Sequence, residues 1–356
     1  MLKQTKLLFF IFSIFLINIF AEEQMYGTNP NLPTIVIITT GGTIAEKTDP
    51  KTNASIPAKG TDFVKSVPKL LDIANVKVIE FANIDSSQMT PQIWSKLSKT
   101  VDNALKDRKI MGAIITHGTD TMAEGSYFLD LTLKTDKPVV FTGAMRNASS
   151  PFSDGPFNLL NAVYQVISKD AKNFGVTVTL NSYINSSRDV VKKNTTNPQT
   201  FTSGEKGYLG YIFEGNVYRI NDRLYIQKFP IPKKLPKIYI FQDFAGAGPE
   251  IIRYMADIGA DAIVIESLGA GNVNAAVFEG IEYALKKGII IINTSVVAHG
   301  FVFPIYGDKG GGETLKKAGV IFSRFLRADK ARLLAMLAIP YVNGDLSKLQ
   351  EVFDLP

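Results

Sequence analysis

The sequence predicts an α/β protein of two domains, a larger amino-terminal one with a mostly parallel sheet and a smaller carboxyl-terminal one whose sheet is also parallel. Three observations carry this. Short β-rich apolar runs alternate with longer amphipathic ones, the pattern of strands joined by crossover helices. The alternation breaks once, at IQKFPIPKKLPK, where prolines and lysines show no periodicity, and then resumes. The chain has 356 residues, 46% of them apolar and 20% charged, enough for two cores.

The first residues, MLKQTKLLFFIFSIFLINIFAEEQ, join two lysines to a fourteen-residue apolar run, Leu7 to Phe20, that stops at Ala21. This predicts a signal peptide over 1–21, with a bulky Ile19 three residues before the cut. The run falls short of the roughly 20 residues that span a bilayer. The expected product is a soluble, periplasmic chain with no membrane attachment after cleavage. Cleavage takes two positive charges off the formal +6, and the remaining excess is scattered in pairs such as Lys192-Lys193. Scattered pairs are solvated faces, so no nucleic-acid partner is expected. Zero cysteines exclude disulfides, thiolate metal sites and a cysteine nucleophile, and suit an oxidising compartment.

In the first domain, 22–225, the strands are TIVIIT, VKVIEF, MGAIIT, KPVVFT and FGVTVTL, with helices expected over 91–107, 120–134 and 155–169 and a hairpin or two over 207–228. The linker is 226–237. In the second domain, 238–356, KIYIFQ, DAIVIE, GIIIIN and AGVIFS alternate with helices over 248–258, 273–287 and 328–338. Sites in such folds lie outside the carboxyl ends of parallel strands, and the polar clusters fall there.

The first is ITTGGTIAEK. Its glycines let the backbone turn sharply after the strand and present Thr43 at the strand's end. By itself this is also what a plain turn looks like, and it fails the dinucleotide pattern G-x-G-x-x-G. The second, IITHGTDTMAEG, places His117, Gly118, Thr119 and Asp120 where a helix begins, with Thr121 and Glu124 spaced as a capping box. Asp120 reads equally as a cap, and His117 more readily as a structural histidine than as a base. The third, FTGAMRNASSPFSDGPFNLLNAV, has a glycine turn and then Asp154 before a helix. In SRDVVKKNTTNP, Lys192 stands on a polar segment where a lone lysine would be a surface charge. A threonine hydroxyl needs a base or a desolvated amine to become a nucleophile. A Thr–Lys–Asp group can do this, with Asp holding Lys, Lys taking the proton and N–H groups holding the oxyanion.

The clusters TGGTIA, ITHGTDTMAE, GAMR, SDGPFNLLNAV and RDVVKKNTT, continuing through DAIVIESLGAGNVNAAVFEG and ADKARLLAMLA, resemble the bacterial type II L-asparaginases over nearly the whole mature chain. The resemblance implies hydrolysis of L-asparagine, and of L-glutamine more slowly, through a covalent acyl-threonine, with no metal or other cofactor. It puts the nucleophile on Thr43, the second catalytic threonine on Thr119, its acidic partner on Asp120 and the lysine on Lys192. For the substrate it implies Ser86, Ser87, Gly118, Asp120, which grips the α-ammonium, and the backbone of Ala144. Asn272 matches a residue reaching the site from a neighbouring subunit of a homotetramer.

There are departures. Ser86-Ser87 stands where the family has a serine–glutamine pair, and residues 46–60 contain no tyrosine. Tyr26, before the strand over 34–40, is expected at that strand's wrong end. Glu313 is a loose match for an intersubunit glutamate. The competing reading is an exported amino-acid-binding protein on the same fold with its chemistry lost; against it, Thr43, Thr119, Asp120 and Lys192 are all present.

Overall fold

The computed structural model describes residues 22–48, 51–52, 55–57 and 67–355; the expected signal peptide lies outside them. Five central strands are parallel: β2 (Thr34–Thr39), β5 (Asn75–Glu80), β6 (Ile110–Thr116), β7 (Val139–Thr142) and β8 (Val176–Leu180). The remaining strands of this half, in chain order, are β1 (Glu22–Tyr26), β3 (Glu46–Thr48), β4 (Ser55–Pro57), β9 (Tyr183–Ser186), β10 (Val191–Lys192), β11 (Phe201–Thr202), β12 (Gly210–Phe213) and β13 (Asn216–Arg219).

The large sheet runs β1-β5-β2-β6-β7-β8-β9-β12-β13. It is mixed rather than simply parallel, because antiparallel strands extend both edges: β1 on one side and the β9-β12-β13 meander on the other. The central order places the second strand beside the first and the third on its other side, so the winding reverses between β2 and β6. Ligands in open α/β sheets bind at the carboxyl end of that reversal.

Strands β2 and β6, at the middle of the sheet, are apolar on both faces over most of their length, which is why they read as continuous runs. Val36 and Ile38 face one core with helix α1 (Pro91–Leu105) and helix α2 (Met122–Thr132), while Ile35 and Ile37 face another with helix α3 (Gly155–Ile167). Helix α1 starts where Thr90 accepts from Ile93 N and Pro91 takes the first turn, and it buries Trp94, Leu97, Val101 and Leu105 at helical spacing.

The second domain is a four-stranded parallel sheet in chain order, β14 (Ile238–Gln242), β15 (Ala262–Ser267), β16 (Ile290–Ser295) and β17 (Ile321–Phe322). Its helices are α4 (Glu250–Asp257), α5 (Ala275–Lys286), α6 (Gly312–Lys317), α7 (Ala328–Tyr341) and α8 (Leu346–Asp354). Helix α7 belongs to both halves: Leu333, Leu334 and Leu337 join Val264 and Ile292 of the second sheet and Phe128 and Leu129 of α2 in one apolar cluster.

Two local expectations change. Strand β1, absent from the sequence reading, pairs Tyr26 with Val76 and so sits beside the start of β2, at the opposite end from Thr43. The capping box does not form: Thr121 Oγ1 donates to Ser86 O at 2.7 Å, and Glu124 faces Arg332 at 3.6 Å. Long-range partners displace the local bonds that the spacing suggested.

Candidate active site

The loops after β2 and β6 meet backbone to backbone. Gly42 has φ +86°, and a β-carbon there would stand 2.4 Å from the Cα and N of Gly118. Only glycine allows that approach, and it brings residue 43, the next in the chain, beside Gly118-Thr119. The strand ends are laced together: Thr40 N and Thr40 Oγ1 both donate to Thr116 O, and His117 N donates to Thr142 O. Gly118 in turn presses on Ser86, whose Oγ would lie 2.6 Å from an added β-carbon and accepts from Asp120 N at 3.3 Å.

Lys192, at the end of β10, donates from Nζ to Thr119 Oγ1 at 2.9 Å and to Asp120 Oδ1 at 2.6 Å. The ion pair is asymmetric: the lysine side chain is 20% exposed and the aspartate 61%. Asp120 therefore offers its second oxygen to the open side of the site. Thr119 is buried, and Thr43 is half-buried on the short helical turn 43–45.

Ala144 is buried beside the same strand ends. A β-carbon on Gly143 would meet His117 O at 2.5 Å and Thr119 Cγ2 at 3.6 Å, and Gly155 packs Ala144 against Ile44. The turn 143–146 is held by the residue that precedes the next helix and by one within it. Asp154 accepts from Met145 N and Arg146 N, and buried Asn158 donates to Gly143 O at 2.9 Å and to Asp154 Oδ2 at 3.1 Å while accepting from Asn181 N. Asn158 was not picked out from the sequence. Its signal is a carboxamide on the buried stripe of α3, beside Leu159 and Ala162.

Ser87 is exposed next to the site. Its N donates to Asp85 Oδ1 at 2.7 Å and its Oγ accepts from Gln88 Nε2 at 3.1 Å; the bonds from Ser87 hold the Asp85 carboxyl below its ordinary value. Asn272 lies in the second domain, where it forms a bridge with Leu268 and accepts from Gly312 N at 3.2 Å. Glu313 pairs with Lys317 at 3.6 Å. A cleft of about 240 Å³ between residues 188–206 and 298–300 touches the cluster only through Lys192.

His117 is fully buried. Nδ1 lies 2.7 Å from Gly118 O, so it must donate and the ring carries its proton there. Nε2 faces Trp94 and Gly125 rather than a threonine, which makes His117 a structural residue. Burial pushes its pKa down from 6.5 to about 4, opposed by the Gly118 bond. Between those values the unfolded chain binds a proton that the folded one refuses, so this residue's stability is present above pH 6.5 and lost as pH falls to 4. The difference amounts to about 3 kcal/mol. In urea unfolding, His117→Gln should flatten the acid limb of stability by about that amount; equal limbs in the two proteins would refute the assignment.

Two α/β domains, with threonine-bearing loops meeting where the winding of a parallel sheet reverses and a lysine against Thr119, have the architecture of a two-domain α/β amidohydrolase. The comparisons agree. A family model described as "Asparaginase, N-terminal" matches residues 34–225, and one described as "Glutaminase/Asparaginase C-terminal domain" matches 237–353. The chain belongs to the asparaginase family. It is 39% identical over 332 residues to L-asparaginase 2 of Escherichia coli, covering 91% of this chain and 93% of that one. It is 36% identical over 336 residues to the probable periplasmic L-asparaginase of Haemophilus influenzae, with the same coverage of 91% and 93%. A crystal structure of a probable cytoplasmic L-asparaginase from Campylobacter jejuni superposes with a TM-score of 0.82 at 37% identity, covering 90% of this chain and 99% of that one.

The periplasmic location expected from the sequence does not stand. The solved relative from Campylobacter jejuni is a probable cytoplasmic enzyme, and residues 1–21 lie outside the described structure. A lysine-flanked apolar run of fourteen residues records affinity for an apolar phase; the folded body is shared by relatives named for either compartment.

Proposed function

We propose that this chain hydrolyses L-asparagine to L-aspartate and ammonia, and L-glutamine more slowly, through an ester on Thr43. The observation that carries the reading is the Lys192 ammonium shared between Thr119 Oγ1 and Asp120 Oδ1, on loops that meet at Gly42 and Gly118.

In the first step Thr43 Oγ adds to the side-chain amide carbon, backbone N–H groups at the glycine turns hold the oxyanion, and the hydroxyl proton ends on the departing nitrogen. Ammonia leaves and the acyl group stays on Thr43. In the second step a water held by Thr119 attacks the ester; the Lys192 ammonium, oriented by Asp120, gives a proton to the departing Thr43 Oγ and, as the amine so left, takes the water's proton through Thr119. The second Asp120 oxygen grips the substrate's α-ammonium. Ser86, Ser87 and Gly118 receive the α-groups, and the Ala144 carbonyl takes the carboxamide N–H. Asn272 completes the site of a neighbouring subunit in a homotetramer of two close dimers.

Ser87 is shorter than the amide it replaces, so Ser87→Gln should lower KM for asparagine about fivefold, the worth of one hydrogen bond, and leave kcat within twofold. A change confined to kcat would place the residue in the transition state instead. The test of the function is ammonia release by purified protein, asparagine against glutamine. Binding of asparagine without release would sink the reading in favour of an amino-acid-binding protein.

A further inference from the structure

Lys330 stands in the first turn of α7 and is 1% exposed. Its Nζ donates to Ser187 O at 2.7 Å and to Ala123 O, and lies 5.2 Å from the centre of the Tyr127 ring. The two carbonyls belong to distant parts of the first domain. Ala123 is in the first turn of α2, four residues beyond Thr119. Ser187 is five residues before Lys192, in the turn that leads into β10. One ammonium from the second domain therefore ties together the two segments that deliver Thr119 Oγ1 and Lys192 Nζ to within 2.9 Å of each other.

We propose that Lys330 is a positioning residue for the hydrolytic step, clamping the backbone at Ala123 and Ser187 and so setting the distance between Lys192 and Thr119. The inference rests on the reading of Thr119 and Lys192 as the pair that handles the water.

Burying an ammonium is costly, and an apolar side chain of similar length would fill the same space without that cost. Only a long donor reaches both carbonyls at once. Burial pulls the Lys330 pKa down to about 8, against the opposing pull of Asp329, Glu124 and Asp189. The surroundings are fixed in the same way: Ser126 Oγ also donates to Ala123 O at 3.0 Å, Arg332 faces Glu124 at 3.6 Å, and Arg188 pairs with Asp189 at 3.1 Å. The clamp thus ends on rigid partners, and a loosened clamp is transmitted to the reacting groups.

The experiment compares Lys330→Met with Leu349→Ala, which removes a buried apolar contact on α8 and takes part in neither hydrogen bond of the clamp, and with Lys192→Met. A misplacement of about 1 Å costs on the order of 100-fold. Lys330→Met should lose about that much kcat, keep KM within threefold and shift the pH profile of kcat, while Leu349→Ala loses thermal stability and keeps kcat and its profile. The chain has no cysteine, so Lys330→Cys carries a single thiol that bromoethylamine converts in denaturant to a lysine analogue; after refolding, kcat should recover. Unchanged kcat in Lys330→Met, an equal loss in Leu349→Ala, or variants that fold only with the ammonium restored would each overturn the proposal, the last by making the bond purely structural. Lys192→Met separates the two failures. Full turnover there removes the reading of the site itself, whereas an inactive Lys192→Met beside an active Lys330→Met removes only the clamp.

Discussion

Thr43→Ala should lower kcat for asparagine by at least about 10³-fold, with little change in thermal stability. The hydroxyl sits on a short turn outside the strand, next to the Gly42–Gly118 contact, so its loss should remove chemistry and leave the core alone. Thr119→Ala should be about as damaging. The double variant should be little worse than either single one, because groups that act as one unit give strongly non-additive losses. The two differ in what they leave behind: Thr119→Ala keeps the nucleophile, so mass spectrometry should find an acyl group on Thr43 after brief exposure to substrate. Near-normal turnover by Thr43→Ala would end the assignment of the nucleophile.

Lys192→Met should lose about 10² to 10⁴ in kcat, the range that a positioned proton acceptor supplies, and the defect should be confined to deacylation. The lysine contacts Thr119 and Asp120, the side of the cluster assigned to the water. A rapid-quench experiment should then show one ammonia released per site, followed by a stall. Lys192→Arg should rescue little, since a planar fork cannot reproduce a compact ammonium against one hydroxyl and one carboxylate oxygen. A uniform slowing with no burst would move the lysine to the acylation step.

The architecture was readable where burial dictates composition. Strands such as TIVIIT are apolar on both faces because a helical layer covers each, so they stand out as runs. The reversal between β2 and β6 was not readable, although it explains why the two threonine motifs meet. That depends on strand order, which local pattern does not encode. Strand β1 escaped because EEQMY has no alternation of its own and forms by pairing with β5. The capping box failed for a related reason: the Thr121 hydroxyl donates to Ser86 O, thirty-five residues away in sequence, and accepts nothing from its own helix. Candidate residues that carry a hydroxyl or charge after a strand could be named from the sequence, whereas Asn158 and Lys330, which brace the strand-end loops from inside helices, could not. Lys330 had a signal, a lysine on the same stripe as Leu333, Leu334 and Leu337; a lysine on a buried stripe is a question the composition raises.

The double allegiance of α7 bears on how the chain is made. Helix α2 leaves the ribosome with part of its apolar surface uncovered, because the residues that cover it, Leu333 and its neighbours, are encoded just over two hundred codons later. At the usual pace of about 5–20 residues per second, that surface waits roughly 10–40 s for its cover. A chain stopped before 328 should therefore expose that surface permanently, and on expression it should collect in the insoluble fraction rather than give a smaller enzyme.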